Sequence, residues 1–430
     1  MKWLLRLSLI LVSVISLSFN ETSAQWYLIP QLKFTNIYCS LSLGDSTFLI
    51  GGDNGTLLRS TDNGTTWNSI MQNGIQVDTV LSLGEGLGYI FAGANGVEDV
   101  YRSSDNGDSW KVSNAGLPGY LLMNQFAFVD TMLYTATNAG VYGSADSGKT
   151  WKADTAGLNI GYVSPGLNNS TVGIASAGNF LYTINTFGGR VYRTSIDSIY
   201  WEVITNEYYN AGYAIASVDT NIFAANMKGI YLYMGDTTWV PRNYGLPVND
   251  TTYIGGCKFT VTDSMLFAYI LSSSTHSFSR DIFVTTDLGL TWKKVNDSVS
   301  SRYNISSLAS NKKYLFAGTQ MGGWRIPVTS LITSIKHENV QAPSSFYISQ
   351  NYPNPFNPST TIKYQLSAFS YVTLKVYNVL GKEVKILVDG YKERGNYTVN
   401  FDAGNLASGV YFYQMKAGNF TSTKKLLLLK

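Results

Sequence analysis

The residues best placed to do chemistry in this 430-residue chain are acids in a recurring setting. Asp62, Asp105, Asp146 and Asp287 each follow a Ser or Thr by two positions, at Ser60, Ser103, Ser144 and Thr285. Each precedes a glycine by two positions, at Gly64, Gly107, Gly148 and Gly289, and a tryptophan by five, at Trp67, Trp110, Trp151 and Trp292. Glycoside hydrolysis needs two carboxylates facing one another at roughly 5–10 Å. One aspartate per repeat, without a cluster of further carboxylates, does not supply that pair. A local role suffices: the carboxylate accepts turn amides, the glycine takes positive φ, and the tryptophan fills space between sheets. These twelve residues therefore read as structural turns.

Other chemistry finds little material. Glu207, Asp250 and Asp297 fall in loops with no spacing that pairs them. His276 and His337 are the only histidines, so a Ser-His-Asp arrangement has no credible base and no metal-ligand spacing exists. Cys39 and Cys257 occupy matching strands of the first and sixth repeats, too far apart to bond, and read as buried hydrophobes. No glycine loop opening a helix cradles a phosphate, and no cofactor is expected. A net charge of +3, with no basic cluster among aromatics, is too small to argue for a nucleic-acid partner, and none is expected.

The elements that must position these residues come from a repeat. One phrase recurs: apolar strand, glycine turn, aromatic strand, polar turn, tryptophan. It runs as FLIGGDNGTLLRSTDNGTTW to Trp67 and as YIFAGANGVEDVYRSSDNGDSW to Trp110. It closes again at Trp151, Trp201, Trp239 and Trp292, near the length of a four-stranded propeller blade. In the first unit the strands are expected at Ile37–Leu43, Phe48–Gly51, Thr56–Ser60 and Thr66–Ile70. The alternation of Cys39, Leu41 and Leu43 with Ser40 and Ser42 has the period of a half-buried strand. The second-strand phrase occurs seven times, starting near Leu49, Ile90, Leu133, Leu181, Ile222, Leu266 and Leu315. The last copy has no fourth strand after it, whereas Trp26 stands alone before the first unit. The N-terminal strand is thus expected to complete the last blade, closing a seven-bladed ring without open sheet edges.

The ends predict export. Lys2 and Arg6 precede the apolar run Leu7–Phe19, and Thr22-Ser23-Ala24 places small residues for cleavage between Ala24 and Gln25. The run is too short to span a membrane comfortably, so no transmembrane segment is expected in the mature chain. Only 14% of residues are charged, against about 25% in ordinary soluble domains. With 30 Tyr and 40 Gly, that composition fits a β-rich extracellular protein.

The SxDxGxTW spacing resembles the Asp-box, or BNR-repeat, propellers, and the blade phrase is most similar to the photosystem II stability/assembly-factor type. The resemblance covers about residues 25–330 and implies a fold more than an activity. The fourth and fifth units depart from it, with Ile196 and Ser198 in the turn of one and the shortened MGDTTW in the other. A sialidase of this family would need an arginine triad, but Arg59, Arg102 and Arg193 fall at repeating third-strand positions. The late WRIP at Trp324–Pro327 is out of place for that family's N-terminal motif. A xyloglucanase-like enzyme sets its cleft between two propellers, and this chain has room for one. A carbohydrate-active hydrolase or lyase stays the alternative to a binding or structural module.

The binding reading rests on the loops between units. They bring Tyr120, Tyr162, Tyr208, Tyr209, Tyr244 and Tyr253 toward one face among Asn and Gly, a composition of recognition surfaces. The same tyrosines could equally cover core edges, since Tyr is abundant throughout. A glycan or a protein would be the ligand.

After Val328 the repeat stops, and 329–344 reads as a linker. Residues 345–430 hold some seven short strand-like stretches, which suggest an immunoglobulin-like sandwich and make the whole chain all-β. This stretch resembles the type A C-terminal sorting domain of the type IX secretion system. The carrying residues include Asn351, Pro353, Asn354, Pro355, Phe356, Asn357 and Pro358 in NYPNPFNPSTT, and Gly381 in VYNVLGKEV. Gly409 and Tyr411 in LASGVYFY, and Lys424 and Lys425 in the basic-apolar end, complete the match. The resemblance implies recognition by the type IX machinery. Its expected route runs through the periplasm to the outer surface or the medium.

Overall fold

The computed structural model describes residues 25–71, 79–95, 100–164, 167–198, 200–205, 211–249, 251–274, 278–295, 299, 302–331, 345–367, 370–392 and 394–429. The expected export signal and its cleavage site at Ala24 lie outside them, as do Tyr208, Tyr209, Glu207, Asp250, Asp297 and both histidines.

Seven four-stranded antiparallel sheets occupy the described residues from Tyr27 to Pro327. The first is Ile37–Leu43, Thr47–Gly52, Leu57–Ser60 and Asn68–Ser69, paired in that order. The inner strands of the others are Thr79–Gly86, Met123–Val129, Thr171–Ala177, Gly212–Val218, Thr252–Thr262 and Ile305–Ser310. Each inner strand packs beside the next, and Ile305–Ser310 packs back against Ile37–Leu43, so the series returns on itself. The seventh sheet takes its outer strand from the start of the chain: Tyr27 pairs with Arg325 and Leu28 with Trp324. Trp26 and Ile29, flanking that strand, are both 3% exposed. The burial of these two apolar side chains holds an otherwise two-residue strand in place.

Alternation sets the layers. The second strand of each sheet is buried on both faces, as in Phe48, Leu49 and Ile50, because neighbouring sheets cover it from both sides. Each inner strand carries one register shift, between Ile37 and Cys39 in the first sheet and at the corresponding place in five others. In the sixth the shift falls between Ile254 and Gly256, two residues earlier relative to its partner strand.

A helical turn at 328–331 buries Leu331 and ends the repeat region. Beyond it two sheets share one core. Tyr347–Ile348, Ser359–Leu366 and Gly395–Asp402 form one. Glu383–Lys392, Ser370–Asn378, Gly409–Ala417 and Phe420–Leu428 form the other, paired in that order. Ile362, Tyr364 and Phe401 from the first meet Val372, Leu374, Tyr413 and Leu426 from the second. Among the described residues no helix is long and apolar enough to cross a membrane.

Candidate functional site

The recurring aspartates build closed turns. The Ser60 hydroxyl donates to Asp62 at 2.8 Å and accepts the Gly64 amide at 2.8 Å. The Thr66 amide and hydroxyl donate to the two Asp62 oxygens at 2.8 and 2.7 Å. Asp105, Asp146 and Asp287 repeat this around Ser103, Ser144 and Thr285. Hydrogen bonding from Ser109 and Ser103 brings the Asp105 carboxyl to about 2. Bonds from Thr150 and Ser144 outweigh slight burial and bring Asp146 to about 2. Burial opposes the same effect at Asp62, where bonds from Thr66, Ser60 and Thr65 still hold it near 2. Carboxylates this committed are poor general acids at neutral pH. The residue before each glycine is also left-handed: Asn63, Asn106, Ser147 and Leu288 have φ of 58°, 57°, 56° and 54°.

That backbone aims a carbonyl at the preceding sheet, and an arginine meets it there. Arg59 donates to the Asn106 carbonyl at 2.5 Å and Arg102 to the Ser147 carbonyl at 2.7 Å. Arg242 reaches the Leu288 carbonyl at 3.2 Å, and Arg325 of WRIP donates to the Asn63 carbonyl across the closure. All four complete turns thus receive an arginine from the sheet before. Arg193 instead binds Glu202 and, at 3.0 Å, the Tyr233 hydroxyl. The arginines do not converge on a shared anion. Repetition of Arg at third-strand positions was the available signal for this role, and Arg242, just past the end of the fourth strand Thr238–Pro241, escaped it.

The tryptophans link sheets as well. The indole N–H of Trp151 donates to the Ser113 carbonyl, that of Trp201 to Asp154, that of Trp239 to Ile204 and that of Trp292 to Arg242. Trp67 and Trp110 turn inward to Gly64 and Gly107 of their own turns.

Of the loop tyrosines, Tyr120 is 72% exposed with a φ of 64° and Tyr253 is 41% exposed. Tyr244 is half-buried, its carbonyl accepting the Trp292 amide. The Tyr162 backbone lies in Gly161–Ser164, and its side chain is outside what is described.

One groove holds two acids that sequence reasoning did not pair. Asp146 and Asp154, with Tyr134, Lys152 and Thr155, line a cleft of about 710 Å³ beside the third sheet. Burial raises the Asp154 carboxyl above its ordinary value, against an opposing pull from Trp201. Asp146, by contrast, is locked low in its turn. Among the described residues no cluster of His, Cys, Asp and Glu could hold a metal.

The terminal domain brings together two segments the sequence separates by some seventy residues. The Leu427 amide donates to the Asn354 side-chain oxygen at 2.9 Å. The Phe356 amide donates to the Leu427 carbonyl and the Leu429 amide to the Phe356 carbonyl, each at 3.0 Å. Gln350 donates to the Lys425 carbonyl. The proline-rich segment therefore covers the outer edge of the last strand. Buried Asn351, 2% exposed, holds that segment's shape, donating to Pro353 and Thr360 and accepting from the Gln350 side chain. Its amide donates to the Tyr413 hydroxyl, which donates in turn to the Ser349 carbonyl. Phe356, 2% exposed, plugs the core against Phe401. Gly381 and Gly409 both take positive φ, and the Tyr411 hydroxyl donates to Ala407.

Solved structures with this architecture are distant in sequence. YCF48 bound to D1 peptide shares 16% identity over 75% of this chain and 99% of its own, with a TM-score of 0.51. The GH74 xyloglucanase from Xanthomonas campestris shares 13% over 80% of this chain and 59% of its own, at 0.54. The extracellular domain of a putative one-component system from B. thetaiotaomicron shares 10% over 95% and 58%, at 0.50. Such likeness shows a fold, that of β-propellers, and no activity. No curated protein matches the chain. Residues 350–429 match the family of the secretion system C-terminal sorting domain, which implies export by the type IX system to the cell surface or beyond.

Proposed function

We propose that the protein is an exported binding or structural module: a seven-bladed Asp-box propeller over residues 25–328, carried by an immunoglobulin-like sorting sandwich over 345–430. The observation that carries this reading is the joining of NYPNPFNPSTT to the C-terminal strand inside the segment that matches the sorting family. Residues 1–24 start the route across the inner membrane, and 329–344 link the two parts. Tyr120, Tyr162, Tyr208, Tyr209, Tyr244 and Tyr253 supply a face for a glycan or protein ligand. Deleting Thr423–Lys430 in a host with the type IX system tests the sorting role. The truncated protein accumulates folded in the periplasm, and the intact chain appears outside without its terminal domain. Equal export of both would sink the reading.

A hydrolase reading has one observation in its favour, the two unlike carboxylates of Asp146 and Asp154 in one cleft. Polysaccharide cleavage abolished by Asp154→Asn, in a protein that stays folded, would establish it.

A further inference from the structure

The axis of the ring holds a feature unrelated to the turns or the loop face. Lys258 pairs with Tyr269, the fifth residue of the sixth sheet's second strand. In the other six sheets the residue paired at that place is Cys39, Ser82, Gln125, Gly173, Ala214 or Ser307. Lys258 is therefore the single charge among seven equivalent inner-strand positions. It lines a cavity of about 390 Å³ formed by the inner strands of the third to sixth sheets. The enclosing strands surround it, yet solvent reaches the side chain, as befits a wet central channel. Burial pulls its pKa below the ordinary lysine value.

Among the described residues Lys258 has no carboxylate partner. The ammonium therefore stands in the channel solvated and unpaired, free to meet an anion without giving up a carboxylate. The same cavity presents Asn124, Gln125, Ser176, Ser217 and Thr260, amides and hydroxyls that suit a hydroxylated molecule. Tyr213 and Phe259 add half-exposed rings. The volume lies at the lower end of the roughly 300–1,000 Å³ typical of small-molecule sites.

We infer that the channel binds a small hydroxylated carboxylate of the sugar-acid class, its carboxylate on Lys258 and its hydroxyls on the surrounding amides and hydroxyls. This site is distinct from the tyrosine face and from the sorting domain, so its failure would leave both readings standing.

The test is calorimetric titration of the mature full-length protein with D-glucuronate, with D-glucose as the neutral control. Saturable binding of glucuronate, at least tenfold weaker in Lys258→Met and substantially retained in Lys258→Arg, is the expected result, with no binding of glucose. Thermal melting of each variant establishes that it is folded. Absence of saturable glucuronate binding to the parent, equal affinity in Lys258→Met, or equal binding of glucose would overturn the assignment.

Discussion

Asn354 and Leu427, 73 positions apart, are joined by a 2.9 Å hydrogen bond from the Leu427 amide to the Asn354 side-chain oxygen. That bond, with the two Phe356 backbone bonds beside it, turns the exposed edge of a terminal strand into a paired one. Replacing Asn354 with Leu keeps the side chain's bulk and removes the acceptor. A loss of about 0.5–1.5 kcal/mol in the terminal domain is expected, with faster amide exchange at Leu427 and Leu429. Unchanged protection there would separate the motif from the strand.

Ring closure rests on Trp26, whose 3% exposure comes from packing with Ile305, Leu315 and Ile326 of the last sheet. Trp26→Ala should destabilise the repeat region by about 3–5 kcal/mol. Denaturant unfolding of the mature protein measures it; a loss near zero would mean that the N-terminal strand is dispensable.

The Asp turns depend on their buried first hydroxyl as much as on the acid. Ser103, 2% exposed, both accepts the Gly107 amide and donates to Asp105. Ser103→Ala leaves that amide unpaired and should cost about 1–3 kcal/mol. A stability equal to the parent's would assign the turn's order to its tryptophan alone.

Leu288 holds a φ of 54° while 37% exposed, so it endures left-handed backbone with limited burial in return. Asn63 and Asn106 occupy the same place in other turns. Leu288→Asn is expected to stabilise by about 0.5–1 kcal/mol, read as a rise in the unfolding midpoint. A fall would show that the leucine's contacts outweigh the strain.

Acid should loosen the same turns in a defined window. Asp62, Asp105 and Asp146 sit near 2 when folded, below the ordinary 3.8. A depressed folded value means that their contribution is present above the unfolded pKa and is lost as pH falls from about 4 toward 2. Thermal midpoints recorded across that range should drop, and drop less in Asp105→Asn. An identical slope in the variant would place the acid sensitivity elsewhere.

The sequence by itself determined what repeats. Seven copies of one second-strand phrase, a lone Trp26 before them and a missing fourth strand after them were enough to expect the first and last sheets to meet. Period-two alternation is local, so the strand at Ile37–Leu43 was legible to the residue, whereas the outer strand shrank from the expected Thr66–Ile70 to Asn68–Ser69. A strand with one partner has few backbone bonds to extend it. The sorting segments were legible as words, yet their contact was not, because nothing in NYPNPF says that its asparagine will find an amide 73 residues on. Arg59 and Arg102 could be recognised as repeating but not as reaching the next sheet's turn. That contact depends on a carbonyl oriented by positive φ at Asn106 and Ser147. Lys258 shows the limit most plainly. In sequence it is one lysine in an apolar strand; its solitude among seven strands exists only once the ring has closed around it.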